Sequence, residues 1–221
     1  MSASATQKLY DLSGRTALIS GGATGLGEGF ARTLADAGAT IVIGDIDEAT
    51  GKETAKSIDG GYFMNLDVTQ DDSWEKVVAD TVAETGRLDI VVNNASVIDL
   101  SGSLDLATKK YDLMQDVNVR GTFLLSRAAI PQLKDAENPH ILSLSPPLNV
   151  TPRWLGAHTG YSRAKFGMTM ATLGRAEECG EAGIAANTLW PRTTIATAAV
   201  QNVIGGDRLM AVSRTPEIYA D

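Results

Sequence analysis

The chain is poor in the residues that several function classes require. A single cysteine, Cys179, rules out a disulfide within the chain and fits a reducing compartment. Two histidines, His140 and His158, with no Cys/His cluster, are too few for a zinc site, so no metal is expected. Basic residues are outnumbered, 19 Lys and Arg against 27 Asp and Glu. A net charge of −8 with no basic stripe argues against a nucleic-acid partner and against an anionic membrane surface. No apolar run approaches the roughly 20 residues of a membrane span. The stretch from Met1 to Asp11 lacks the basic-then-apolar order of a secretory signal. Together these absences make the cytoplasm the expected location.

What the chain does have is ordinary globular composition, 43% hydrophobic and 21% charged, over 221 residues. That length suits one domain, 1–221, with a proper core. Short apolar runs alternate with helical patterns along it. Strands are expected at 15–20, 40–44, 61–66, 88–92, 140–145 and 183–190. Helices are expected at 26–37, 47–58, 71–85, 109–133 and 161–178. Strands separated by helices of ten or more residues imply right-handed crossovers and a parallel sheet covered on both faces, an α/β fold. Such a sheet offers its sites beyond the carboxyl ends of the strands.

At the first of those ends stands Ser20-Gly21-Gly22-Ala23-Thr24-Gly25-Leu26-Gly27, followed at once by a helix. Glycines permit a tight turn and let backbone N–H groups approach a pyrophosphate at the helix N-terminus. The second strand ends at Asp45. A carboxylate there can accept hydrogen bonds from the adenosine ribose and would repel a 2′-phosphate, which favours NAD over NADP. The third end carries Asp67-Val68 and the fourth Asn93-Asn94-Ala95-Ser96, candidates to meet the adenine and its ribose. Further on, Tyr161 and Lys165 lie four residues apart at the start of a helix and so share a face. A phenol ordinarily titrates near pH 10. An ammonium one turn away favours the phenolate and would make Tyr161 an acid/base.

In combination these residues resemble the short-chain dehydrogenase/reductase family in its compact single-domain form. The family's Thr-Gly-x-x-x-Gly-x-Gly pattern falls at 20–27 with Ser20 for the threonine, and its Asn-Asn-Ala-Gly at 93–96 with Ser96 for the glycine. Its helix asparagine falls on Asn118, its Tyr-x-x-x-Lys on Tyr161 and Lys165, and its Asn-x-x-x-Pro on Asn187 and Pro191. The resemblance implies a doubly wound Rossmann fold and hydride transfer between NAD(H) and an alcohol or carbonyl. It implies cofactor contacts from Gly21, Thr24, Gly25, Leu26, Gly27, Asp45, Ile46, Asp67, Val68, Asn94, Ala95, Tyr161, Lys165, Pro191 and Thr194. It gives Tyr161 the proton transfer, Lys165 the tuning of Tyr161 and the ribose, and Asn118 a relay water. It also implies a homodimer or homotetramer, built on the helices Lys109–Leu133 and Tyr161–Glu178.

Two departures qualify the match. The strand-aligned place of the family's catalytic serine is held by Pro146, which has neither hydroxyl nor N–H; Ser145, one residue earlier, is the candidate substitute. The family's last helix and strand are also missing, which would leave the strand ending at Trp190 on the sheet edge. Residues 194–210 are expected to form a lid over substrate and nicotinamide. Trp154, Leu155 and Leu148 suggest an apolar pocket, hence a small or medium, largely apolar secondary or terpenoid alcohol. The residues from Ser145 to Thr193 resemble the hydroxysteroid-dehydrogenase-like and citronellol-dehydrogenase branch. The first 90 resemble NAD-dependent polyol or secondary-alcohol dehydrogenases, which suggests a join near Asn93. The alternative reading is an NAD(H)-binding homologue with little turnover, acting as a binding or regulatory module.

Overall fold

The computed structural model describes residues 10–219. Six parallel strands form its sheet: β1 Thr16–Ser20, β2 Thr40–Asp45, β3 Tyr62–Asn65, β4 Ile90–Asn93, β5 His140–Leu144 and β6 Ala185–Leu189. Their spatial order is β3-β2-β1-β4-β5-β6. The order reverses about β1, whose neighbours are β2 on one side and β4 on the other. That is the crevice-forming point of a doubly wound sheet. β1 is buried along its whole length, as a strand covered on both faces must be.

Side chains alternate between the two faces. Leu18, Val42, Val91 and Ile141 point to one face, where they pack with Trp74, Val77, Leu125 and Leu133. Those partners come from helices α3 (Ser73–Thr85) and α5 (Thr122–Leu133). Ala17, Ile19, Ile41, Ile43 and Val92 point to the other, against Phe30, Ala31 and Ala55 of α1 (Gly25–Asp36) and α2 (Glu48–Ser57). The Rossmann architecture follows from that alternation.

The expected helix 109–133 is one continuous run with an interruption. It comprises α4 (Thr108–Met114), a π-helical stretch Gln115–Gly121, and then α5. The remaining helices are α6 (Pro152–Gly156), α7 (Thr159–Glu178) and α8 (Gly206–Met210). Among the described residues no strand pairs with the outer edge of β6, and Ala185 and Asn187 are exposed there. No helix among them is long and apolar enough to cross a membrane.

After β6 the chain turns back over the carboxyl end of the sheet. Ile195 forms a parallel bridge with Arg214, and a π-helical turn at Val200–Ile204 precedes α8. Pro216 then packs on α1, its Cβ 3.4 Å from where a Cβ on Gly29 would stand.

Candidate active site

The strand register brings Ser20, Gly44, Asn93 and Ser143 to one level, so the residues following them share one mouth. At β1 the chain turns sharply: Gly21 has φ +66° and Gly25 +60°. The Gly21 N–H donates to the Gly44 carbonyl at 2.7 Å. A Cβ on Gly27 would lie 2.1 Å from the Gly21 carbonyl oxygen, so only glycine lets α1 start this close to the strand end. Thr24 precedes α1 without capping it through its side chain. Of the first-turn N–H groups of α1, Glu28 donates to the Thr24 carbonyl at 3.3 Å and the others have no side-chain cap, which makes the helix start a ready anion site.

The Asp45 carboxylate accepts the Ala23 N–H at 3.1 Å and the Asp47 N–H at 3.0 Å, one bond on each oxygen. Each oxygen keeps acceptor capacity for a sugar hydroxyl. Ile46 is exposed beside it. These features fit a dinucleotide: uncapped N–H groups for the pyrophosphate, glycines that let it approach, and an acceptor for the ribose.

Other expected cofactor residues have local duties. Asn94 donates its amide to the carbonyls of Gly21 at 2.8 Å and Ser20 at 3.1 Å, so it clamps the glycine turn instead of reaching outward. Ala95 lies against Gly21, its Cα 2.9 Å from where a Gly21 Cβ would be. The Asp67 carboxylate is bonded by the Thr69 N–H at 2.9 Å and its hydroxyl at 2.7 Å. Burial pushes that carboxyl up, and the Thr69 bonds outweigh it, leaving it below the usual range. Val68 is buried against Gly121.

On α7, successive turns grip the end of β5. Lys165 Nζ donates to the Leu144 carbonyl at 2.9 Å, Thr169 Oγ1 to the Pro146 carbonyl at 2.6 Å, and Thr172 Oγ1 to Ser143 Oγ at 2.9 Å. Ser143 also accepts from Asn93, which donates to Ser126 as well. A buried polar chain thus joins β4, β5, α5 and α7. Ser145 lies just past this strand, its N–H bonded to the Ser143 carbonyl at 3.0 Å. Its hydroxyl is fully buried and has no hydrogen-bond partner among the described residues. The expected catalytic hydroxyl is thus not open to the mouth as the loop stands.

Tyr161 occupies the first turn of α7, and no described residue hydrogen-bonds its hydroxyl. The tuning expected of the pair is reversed in the protein alone. Burial pushes the Tyr161 phenol up to about 12 and the Lys165 amine down to about 7. Both charged forms lose hydration, and the Lys165 ammonium has only a neutral carbonyl and the Met168 sulfur in return. Trp190 lies over the amine, its ring centroid 6.0 Å from Nζ.

Asn118 lies within the expected helical run, with its side chain turned to the segment after β4. It lies in the π-helical stretch and is fully buried. Its side chain accepts the Val97 N–H at 2.8 Å and donates to the Val97 carbonyl at 3.0 Å. The amide is spent on holding the chain after β4. A relay water would have to use its main chain, where π geometry displaces the usual helical bonds.

In the expected lid, Thr194 accepts from Ser213 Oγ at 2.9 Å and Pro191 is half-buried. Thr197, which the sequence reading passed over, stands closest to the glycine turn, its Cγ2 3.7 Å from where a Gly25 Cβ would be. Trp154 and Leu148 are more than 40% exposed, at 57% and 45%. They stand on the rim and do not wall in a pocket. Leu155 faces a groove with Gln115, Val119, Arg163 and Phe166, on the helical face and away from the glycine turn. Among the described residues no three His, Cys, Asp or Glu side chains gather as metal ligands.

Known proteins are similar to this chain in sequence and fold. Hydroxysteroid dehydrogenase-like protein 2 of Danio rerio is 42% identical over 97% of this chain and 54% of its own length. The Mus musculus protein of the same name is 43% identical over 95% of this chain and 45% of its own. The chain thus spans about half the length of these curated relatives, and each alignment runs across both sides of Asn93. A crystal structure of a short-chain dehydrogenase from Mycobacterium thermoresistibile superposes with a TM-score of 0.88 at 45% identity, over 96% of this chain and 79% of that one. A 3-ketoacyl-(acyl-carrier-protein) reductase from Brucella melitensis, solved with NADH, gives 0.84 at 26% identity, over 95% and 89%. The short-chain dehydrogenase family model matches residues 15–205. From the glycine turn to Tyr161 and Lys165, this chain belongs to the short-chain dehydrogenase family.

Proposed function

We infer that the chain is an NAD(H)-dependent oxidoreductase of a small or medium, largely apolar secondary or terpenoid alcohol or its carbonyl, with Tyr161 as acid/base. The observation that carries this reading is the Tyr161 hydroxyl, unpaired among the described residues, one helical turn from a buried amine. When bound, the nicotinamide supplies the hydride acceptor or donor. The chain would hold the dinucleotide with the α1 N-terminus, Gly21, Gly25 and Gly27 at the pyrophosphate and Asp45 at the adenosine ribose. Thr197 and Pro191 would lie toward the nicotinamide, under the lid of residues 194–210. Lys165 would hold the nicotinamide ribose. The acceptor charge of Asp45 supports NAD over NADP.

In oxidation the Tyr161 oxygen takes the hydroxyl proton of the alcohol; in reduction it returns one to the carbonyl oxygen. Its high affinity for a proton suits the second role at neutral pH and makes oxidation faster as pH rises. The binding-module reading has one observation in its favour, the buried Ser145 hydroxyl beside Pro146. The decisive experiment mixes the protein with NAD and a panel of secondary and terpenoid alcohols at alkaline pH and follows NADH absorbance. Turnover that drops about 10²-fold or more in Tyr161→Phe, with NADH binding kept, supports the enzyme. No turnover of any alcohol, with the variant indistinguishable from its parent, leaves the binding module.

A further inference from the structure

The stretch from Ala95 to α4 has neither strand nor helix, yet it joins the two ends of the site. It starts where Ala95 touches the Gly21 turn and runs past the beginning of the helix that carries Tyr161. Its own bonds are local turns: Ser101 N–H to Asp99 at 2.9 Å, and the Asp105 and Leu106 N–H groups to Gly102 at 3.0 and 2.9 Å. A segment without regular structure keeps its place only through ties to its surroundings.

Three ties hold it. Asn118 brackets Val97 from both sides. Leu106 packs on Gly160, its Cδ2 2.5 Å from where a Cβ would stand there. Between them, His158 Nδ1 bonds the Leu100 carbonyl at 2.6 Å, shorter than either Asn118 bond to Val97. A carbonyl can only accept, so Nδ1 carries the hydrogen, as it does in one neutral tautomer and in the imidazolium.

His158 is the residue at which α7 begins, and its backbone carbonyl accepts the Ser162 N–H at 2.8 Å. Its side chain makes no capping bond to its own helix. It reaches instead to a residue 58 positions away in sequence, which helix formation alone does not call for. We propose that His158 is a positioning residue: it latches the strap of residues 95–107 to the start of α7 and so fixes one wall of the substrate site beside Tyr161. This role rests on the reading of Tyr161 as the reacting group.

Two measurements test it in the full chain. Hydrogen–deuterium exchange, without cofactor or alcohol, compares the parent with His158→Leu and His158→Asn. Asparagine can place a donor N–H close to where Nδ1 lies, whereas leucine cannot. Loss of one such hydrogen bond should speed exchange across 97–107 by about five- to tenfold in His158→Leu. Exchange in β1 and α1 should be unchanged, and His158→Asn should restore most of the protection. Steady-state kinetics should show the alcohol KM rising by a similar factor in His158→Leu, with kcat within about twofold and the NADH Kd unchanged. His158→Asn should lie near the parent.

Unchanged strap exchange in His158→Leu overturns the latch, and so does an asparagine variant as impaired as leucine. A fall in kcat with KM unmoved would place His158 in the chemistry and overturn the positioning role. If the parent turns over no alcohol or carbonyl, the functional reading fails, while the exchange comparison still decides whether the latch exists.

Discussion

The side-chain amide of Asn94 donates to the backbone carbonyl of Gly21 at 2.8 Å, so the end of β4 holds the shape of the turn after β1. The same amide serves Ser20 at 3.1 Å, and Ser20 Oγ in turn accepts the Asn94 and Ala95 N–H groups at 3.2 and 3.3 Å. Among the described residues no other hydrogen bond reaches the Gly21 carbonyl. Asn94→Ala should lower stability by about 1–3 kcal/mol, the cost of leaving partly buried acceptors unpaired, and should weaken NADH binding. Asn94→Asp should be worse, because a carboxylate offers no donor and sets its charge against two carbonyl oxygens. Urea denaturation and NADH fluorescence titration read both effects. An aspartate variant as stable as the parent would show that the amide does not hold the turn.

Asp45 has a double duty that decides which substitution can test cofactor choice. Its Oδ2 accepts the Ala23 N–H inside the glycine turn, so Asp45→Ala would damage the turn as well as remove the charge. Asp45→Asn keeps one acceptor oxygen, enough for Ala23, and removes the charge that would repel a 2′-phosphate, at the cost of the Asp47 N–H bond, which loses its acceptor to the amide NH2. The ratio of NADPH to NADH affinity should rise about tenfold or more, corresponding to roughly 1.4 kcal/mol or more of relieved repulsion. A ratio that stays put would mean that the ribose end of the cofactor lies elsewhere.

The outward faces of α5 and α7 are unusually apolar. Phe123 is 44% exposed, Met170 64% and Leu173 54%, and Arg175 stacks on Phe123 at 4.8 Å. Grooves lined by Tyr111, Val119, Phe166 and Met170 run alongside. Pairing of this face with a second copy would bury it. Light scattering should give a multiple of 23.3 kDa, and Met170→Glu with Leu173→Glu should reduce it toward one chain. A parent mass equal to one chain would refute the assembly.

The sheet was legible because each strand is a short apolar run closed by polar or glycine residues. Asp45 and Asn93 are each the last residue of their strand, one beyond the expected ends of 40–44 and 88–92. The helix 109–133 was legible as a helix but not as three pieces. A π-helical stretch shifts the backbone bonding without altering which side chains are apolar, so Gln115–Gly121 leaves no periodic trace. The placement of the glycine turn up to Gly27 and of Asp45 at strand ends, and of Tyr161 and Lys165 on one helical face, was legible too. What each side chain does there was not. Asn94 and Asn118 turn inward to backbone groups because the loops beside them carry unpaired N–H and C=O groups, a demand set by tertiary contact. Thr197 reaches the glycine turn only through the fold of residues 194–214, a path that local spacing does not encode.

Lys165 makes folding stability depend on pH in a defined window. Its amine has a folded value of about 7 against 10.5 for the free side chain, and it is only 5% exposed. Below pH 7 both the folded and unfolded chains carry the proton, and the full penalty of a buried ammonium stands. Between 7 and 10.5 the unfolded chain holds a proton that the folded chain has lost, so stability rises with pH. Tyr161 acts with the opposite sign at higher pH. Its phenol titrates at about 12 when folded and 10.0 when unperturbed, so stability falls from pH 10 to 12 as the unfolded chain ionises first. The rise therefore belongs to Lys165 and is confined to about pH 7–10. Lys165→Met fills the same space without the amine and leaves the Leu144 carbonyl without its donor, an offset that does not vary with pH. The parent should gain about 2–4 kcal/mol relative to Lys165→Met between pH 7 and pH 10. Guanidinium denaturation at several pH values measures that difference. A constant difference would show that the amine keeps its charge in the folded chain. Lys165 would then be an ammonium beside Tyr161 at neutral pH, and the tuning of the phenol implied by their four-residue spacing would hold after all.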